Sequence, residues 1–107
     1  MGSRGRPKKY KVVKQDPRIS QFSPRGRAGR PDEATLTMDE FEAVRLVDFL
    51  GLSQKEAAES MRISQPTFSR ILKRAHKTIA EGIVKGSTIK IQGGYYVISS
   101  RADGQIK

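Results

Sequence analysis

Apolar positions recur with a helical rhythm over three stretches of this chain, and with a strand rhythm near its C-terminal end. The first stretch carries Ala43, Leu46, Val47 and Leu50 at i, i+3, i+4 and i+7, which makes one apolar stripe of a helix. Thr37 and Glu40 in front of it form a capping box, in which each side chain satisfies a free backbone N–H of the other residue. Asp39, Glu40 and Glu42 suit the positive end of that helix, and Gly51 supplies a left-handed stop. Phe41 and Phe49 fall off the stripe. They are expected to pack on the N-terminal arm, on the C-terminal strands or on a second subunit.

Ser53 and Glu56 make a second capping box, followed by Ala57, Ala58 and Met61 as the apolar face of a helix of about two turns, too short to stand alone. Arg62 occupies the turn that follows, where a left-handed residue is required, at a cost of about 1 kcal/mol for a residue with a Cβ. Ile63 anchors that turn in the core. A third helix starts at Ser64 or Gln65, with Pro66 in its first turn. Phe68, Ile71, Leu72, Ala75 and Ile79 give it a 3.6-residue stripe, and Gly86 ends it after about Lys85. Its distal half extends beyond what reading a groove needs and is assigned to packing or dimerisation. Gly93-Gly94 then separates two alternating runs, TIKIQ and YYVIS, the signal of a two-residue hairpin. That register sets Gln92 opposite Tyr95, Ile91 opposite Tyr96 and Ile89 opposite Ile98.

Ahead of the helices, residues 1–9 have the composition of a disordered segment, and Pro17, Pro24 and Pro31 exclude a helix up to residue 34. Tyr10–Lys14 is a strand candidate. The expected fold is mainly α: a helix-turn-helix three-helix core, a C-terminal β-hairpin and a basic, largely extended N-terminal arm. The expected segments are the arm over 1–34, the helix-turn-helix domain over 35–86, the hairpin over 87–100 and a flexible tail over 101–107.

Charge sharpens this picture by where it lies. The chain has a net charge of +10 over 107 residues. Residues 1–31 hold ten Lys and Arg against Asp16 alone, so the rest of the chain is close to neutral. A basic arm of this kind suits a polyanion. With no cysteine and one histidine, the composition offers no thiolate metal site and no nucleophile–base–orienter set, so an enzyme is not expected and neither is a cofactor or metal. No apolar run reaches the roughly 20 residues of a membrane span, and no apolar stretch follows the N-terminal charge as in a secretory signal. A cytoplasmic protein without membrane contact is the expectation.

The third helix has no acid from Ser64 to Ala80 and carries four bases, Arg70, Lys73, Arg74 and Lys77. If it enters the DNA major groove, its exposed N-terminal half reads bases and its flanks hold phosphates. The candidate contacts are Ser64, Gln65, Pro66, Thr67, Ser69, Arg70, Lys73, Arg74 and Lys77. Gln65 suits adenine and Arg70 suits guanine; Lys73, Arg74 and Lys77 suit phosphate. In the arm, Arg4-Gly5-Arg6-Pro7-Lys8-Lys9 resembles an AT-hook core, so Arg4, Arg6, Lys8 and Lys9 are candidates for the A·T minor groove. His76 is given no role. Asp39, Glu40, Glu42 and Asp48 are read as helix-end and solvated charges.

The run from Thr37 through Gly94 resembles the small prokaryotic uncharacterised protein family 0251. The resemblance rests on Asp39-Glu40 through Glu42-Ala43, Arg45-Leu46, Asp48, Gly51-Leu52 and Thr67-Phe68-Ser69-Arg70-Ile71-Leu72, with the opening GRPKKYKVV. It covers most of the chain. It implies a DNA-binding protein whose helix-turn-helix is similar to region 4 of sigma factors, without a known target. This chain departs from the family at the turn, where Arg62 stands for the usual glycine, and in the basic insert around Arg25–Arg30. The leading expectation is a sequence-specific double-stranded DNA-binding protein acting in transcription regulation. The hairpin and the off-stripe phenylalanines are the homodimer candidates. Two alternatives stand beside it. One is RNA binding through the arm and the aromatic hairpin. The other is a sigma-region-4-like adaptor for RNA polymerase or another protein, docking through the acidic first helix.

Overall fold

The computed structural model describes residues 10–26 and 29–99. The candidates Arg4, Arg6, Lys8 and Lys9, residue Arg27 and the 101–107 tail lie outside them. In chain order the elements are β1 (Lys11–Val13), β2 (Gln21–Phe22), β3 (Glu33–Leu36), α1 (Met38–Val44), a π-helical turn (Arg45–Phe49), α2 (Gln54–Met61), α3 (Gln65–Lys85), β4 (Thr88–Ile91) and β5 (Tyr96–Ile98).

The helix starts follow the local sequence closely. Thr37 and Ser53 each close a reciprocal capping box with the glutamate three residues on. Ser64 caps α3, with Pro66 in its first turn, and Gly86 ends it in the left-handed region at φ 67°. The first helix departs from its expected course. After Val44 the winding widens, and the Leu50 N–H reaches back five residues to the Arg45 carbonyl, at 2.9 Å. An apolar stripe drawn at 3.6 residues per turn therefore over-rotates. Leu46 is buried, but Leu50 and Phe49 end on the surface. Gly51, at φ 82°, lets the chain leave, and Leu52 packs inward in place of Leu50.

Two apolar clusters share Val44. One joins Ala43, Leu46, Ala57, Ala58, Met61, Phe68, Ile71 and Leu72 of the helices. The other joins Ala75 of α3 to Val13, Leu36, Met38 and Ile91, with Phe41, Ile79, Ile89 and Tyr96 at its edge. The second cluster is where the strands settle, and Phe41 finds its partners there.

The strands correct the expected hairpin. β4 and β5 both form, yet they are not partners. β4 lies between β2, antiparallel (Phe22 opposite Ile89), and β3, parallel (Leu36 opposite Ile91). β5 pairs in parallel with β1, Val13 opposite Ile98. Gly93 and Gly94 do have the positive φ of a tight turn, at 85° and 98°. They use it to cross the start of α1. The Gly93 carbonyl accepts from the Met38 N–H at 2.9 Å, one of the donors a helix start leaves unpaired. A Cβ on Gly94 would stand 3.0 Å from Asp39 Oδ1, so the crossing itself needs glycine. Each arm of the would-be hairpin pairs instead with β1, β2 or β3 over the second cluster, ladder partners that an isolated pair lacks. The segment from Lys11 is accordingly extended, as its prolines demand, but it forms ribs of both sheets, and β3 runs across the expected arm boundary at residue 34.

Candidate nucleic-acid interface

Only Arg62, Ile63 and Ser64 separate α2 from α3. The connection is that tight because Arg62 adopts the left-handed conformation, φ 59° and ψ 45°. It is the one non-glycine residue with positive φ among the described residues. The Arg62 N–H donates to the Glu59 carbonyl and the Ile63 N–H to the Ala58 carbonyl, at 3.1 and 3.0 Å. These are the two bonds of a Schellman stop, and they leave Ile63 packed against the first cluster.

The stop fixes where α3 begins and so which of its faces is free. Phe68, Ile71, Leu72 and Ala75 are buried, while Gln65, Pro66, Ser69, Arg70, Lys73, Arg74 and Lys77 are exposed along one outer face, with Ser64 at its head. Thr67 is half-buried. Its hydroxyl accepts from Ser64 Oγ at 2.9 Å and from the Arg70 guanidinium at 3.3 Å. Arg70 is thereby drawn back over the first turn of α3, the direction in which long helical side chains lean.

The bases on this face are not equivalent. Among the described residues Arg70 and Lys73 carry no ion pair. Arg74 stands 3.6 Å from Glu40, and Lys77 stands 3.6 Å from Glu81 on the next turn. The Lys77 pair is exposed on both sides and contributes little, about 0–1 kcal/mol, so Lys77 can exchange its carboxylate for another anion. Arg74 is exposed but its partner Glu40 is buried, so that pair is the more firmly held of the two.

Sequence reasoning missed Gln54. The first residue of α2 borders a cleft of about 370 Å³ together with Gln65, Pro66 and Ser69. Two carboxamides then flank one recess, each able to donate and accept. The Ser53 capping box orients the first turn of α2, but it is the packing of α2 against α3 that brings Gln54 beside Gln65. At that cap the Ser53 N–H, and then its hydroxyl, hold the Glu56 carboxyl below the ordinary carboxylate range.

The acidic residues of α1 are placed differently from expectation. Asp39, Glu40 and Glu42 are buried rather than solvated. Glu42 takes two bonds from the Arg45 guanidinium, at 2.8 and 2.9 Å, and one from the Lys14 backbone N–H at 2.9 Å. Asp39 accepts from the Thr37 hydroxyl and has Lys11 at 3.8 Å. These groups tie the arm and α1 together, so α1 presents no acidic docking face. Asp48 alone of the four is exposed, and His76 meets it at 2.7 Å. Among the described residues no group of His, Asp and Glu is arranged to hold a metal. No described helix is long and apolar enough to cross a membrane.

The comparisons with known proteins agree over most of the chain. Residues 1–99 match the model of a family described as a protein of unknown function, DUF134. A UPF0251 protein of Thermoanaerobacter pseudethanolicus is 42% identical over 92 residues, covering 85% of this chain and 78% of the relative. One from Caldanaerobacter subterraneus subsp. tengcongensis is 40% identical over 94 residues, 87% of this chain and 80% of its own. A UPF0251 protein of Methanococcus vannielii is 40% identical over 96 residues, 89% and 74% of the two chains. No solved structure matches.

Proposed function

Because the chain belongs to the DUF134 family of unknown function, we propose its role from the site itself: sequence-specific binding of double-stranded DNA, in transcription regulation. α2, the three-residue turn and α3 serve as a helix-turn-helix, and the N-terminal half of α3 enters the major groove. One observation carries the reading. Along the exposed face from Ser64 to Lys77, α3 has four bases and no acid, while its opposite face is locked into the core. Arg70 and Gln65 lie toward the helix start, where base edges are met. Lys73, Arg74 and Lys77 lie further along, where the backbone passes. Gln54 joins Gln65 at the recess between the two helices, and the basic residues at the start of the chain add salt-dependent affinity.

The test is recovery of duplexes from a randomised DNA pool at about 0.15 M salt. An enriched motif that is lost in Arg70→Ala and Gln65→Ala supports the reading. Retention without any enrichment, vanishing as salt rises, removes specific readout.

A second reading has one observation of its own. Tyr10 and Tyr95 stand side by side, ring centroids 5.4 Å apart, both about half exposed at the root of the basic arm. Such a pair offers stacking faces to unpaired bases, as in single-stranded RNA binding. Tighter binding to single-stranded RNA than to duplex DNA, abolished in Tyr95→Ala, would favour it.

A further inference from the structure

The last two turns of α3 carry a surface that groove reading does not use. Ile83 and Val84 are 73% and 84% exposed, among the most exposed large apolar residues described. They form a ridge with a hollow on each side. One hollow, about 250 Å³, lies between α3 and β2 and is lined by Phe22, Pro24, Gly82 and Ile89. Gly82 lets the Ile89 side chain pack directly on the helix beside this hollow: a Cβ there would meet Ile89 at 2.6 Å. The other, about 220 Å³, lies beside Val84 and is lined by Ala80 together with the charged Lys77, Glu81 and Lys85. Exposed apolar patches rimmed by charged residues are a feature of protein–protein contact surfaces.

We propose that this surface is the interface of a homodimer, with the last turn of α3, Glu81–Lys85, from each of two copies packed antiparallel about a two-fold axis near Ile83. Three features select a second copy as the occupant. A ridge beside a hollow is self-complementary under a two-fold, as an isologous contact requires. The charged residues of the second hollow alternate in sign, and pairing about Ile83 sets Glu81 opposite Lys85 of the second copy, and Lys85 opposite its Glu81. The third feature is reach. Ser69, in the middle of the candidate reading face, lies fourteen residues from Ile83 along one unbroken helix. At 1.5 Å per residue that is about 21 Å, so the two reading faces stand at most about 42 Å apart. Crossing of the helices shortens this toward the roughly 34–36 Å between half-sites one DNA turn apart. The reach argument rests on the DNA reading; the first two do not.

The experiment is sedimentation equilibrium on the full chain, wild type and variants, with circular dichroism to verify folding. Wild type is expected to be a dimer and Val84→Glu a monomer of unchanged helicity, since an 84% exposed side chain supports no core. Glu81→Lys and Lys85→Glu should each weaken the dimer about tenfold, by placing like charges opposite each other. The double variant should recover it, which no folding defect would do. A monomeric wild type at about 0.1 mM, well above the micromolar range of ordinary association, overturns the proposal. So does a double variant no better than either single. A dimer that binds no duplex leaves the interface standing and removes the DNA reading alone.

Discussion

The helical half and the stranded half of this protein are organised on different length scales. Around Phe68, residues 43–72 meet through short connections, and each helix starts on its own cap. Around Ile91, residues near 13, 36 and 96 meet although they are far apart in sequence. The first half is specified locally and the second only by the closed whole. Stability, register and tolerance to change should differ between them accordingly.

The comparison breaks first at Phe68, fully buried at the centre of the helical cluster. Phe68→Ala should cost about 3–5 kcal/mol and lower the urea midpoint of the whole molecule. Survival of either half in that variant would show two independent units. Glu42 tests the join. Glu42→Gln leaves Arg45 without its charge partner and should cost about 3 kcal/mol. Hydrogen exchange should show the β1–β5 amides losing protection before those of α3.

Much of the helical half was legible because its signals sit within a few residues of one another. Thr37 with Glu40, Ser53 with Glu56, and Gly86 after Lys85 all behave as their spacing requires. The failures are equally specific. Leu50 was misplaced because nothing in its neighbourhood announces the π-helical turn. The hairpin was misread because Gly93 and Gly94 have the φ values of a turn but are used for a crossing over α1. Asp39, Glu40 and Glu42 looked solvated because, beside the local Thr37 and Arg45, they meet Lys11, Arg74 and the Lys14 backbone from distant parts of the chain. The basic outer face of α3 could be read from periodicity, whereas Gln54 needed the two helices to be brought together.

Smaller effects sharpen the contrast. Arg62→Gly relieves the left-handed strain at the turn and should stabilise the protein by about 1 kcal/mol, raising the melting temperature while leaving the exchange pattern of the sheets unchanged. A loss of stability there would mean that the arginine side chain contributes more than its backbone costs. The smallest effect is at the α2 cap. The Glu56 pKa lies below its ordinary value of 4.5, so its contribution is complete above that pH. It fades as pH falls through the lower folded value. Acid titration of Glu56→Gln should lack this component, and an unchanged acid profile would remove Glu56 from the account.

The position of β4 between β2 and β3 has a consequence for biosynthesis. Translation proceeds at roughly 5–20 residues per second, and the strands at residues 11–36 are made well before 88–98. Until Thr88–Ile91 is delivered, β2 and β3 have no ladder to join, and β1 waits for Tyr96–Ile98. The nascent chain can settle its helices first, while the residues of β1, β2 and β3 stay without their ladder partners. Closing the sheets is then the final act of folding. It is the step at which a stalled ribosome, or a competing strand, would leave a chain with its helices formed and its N-terminal segment adrift.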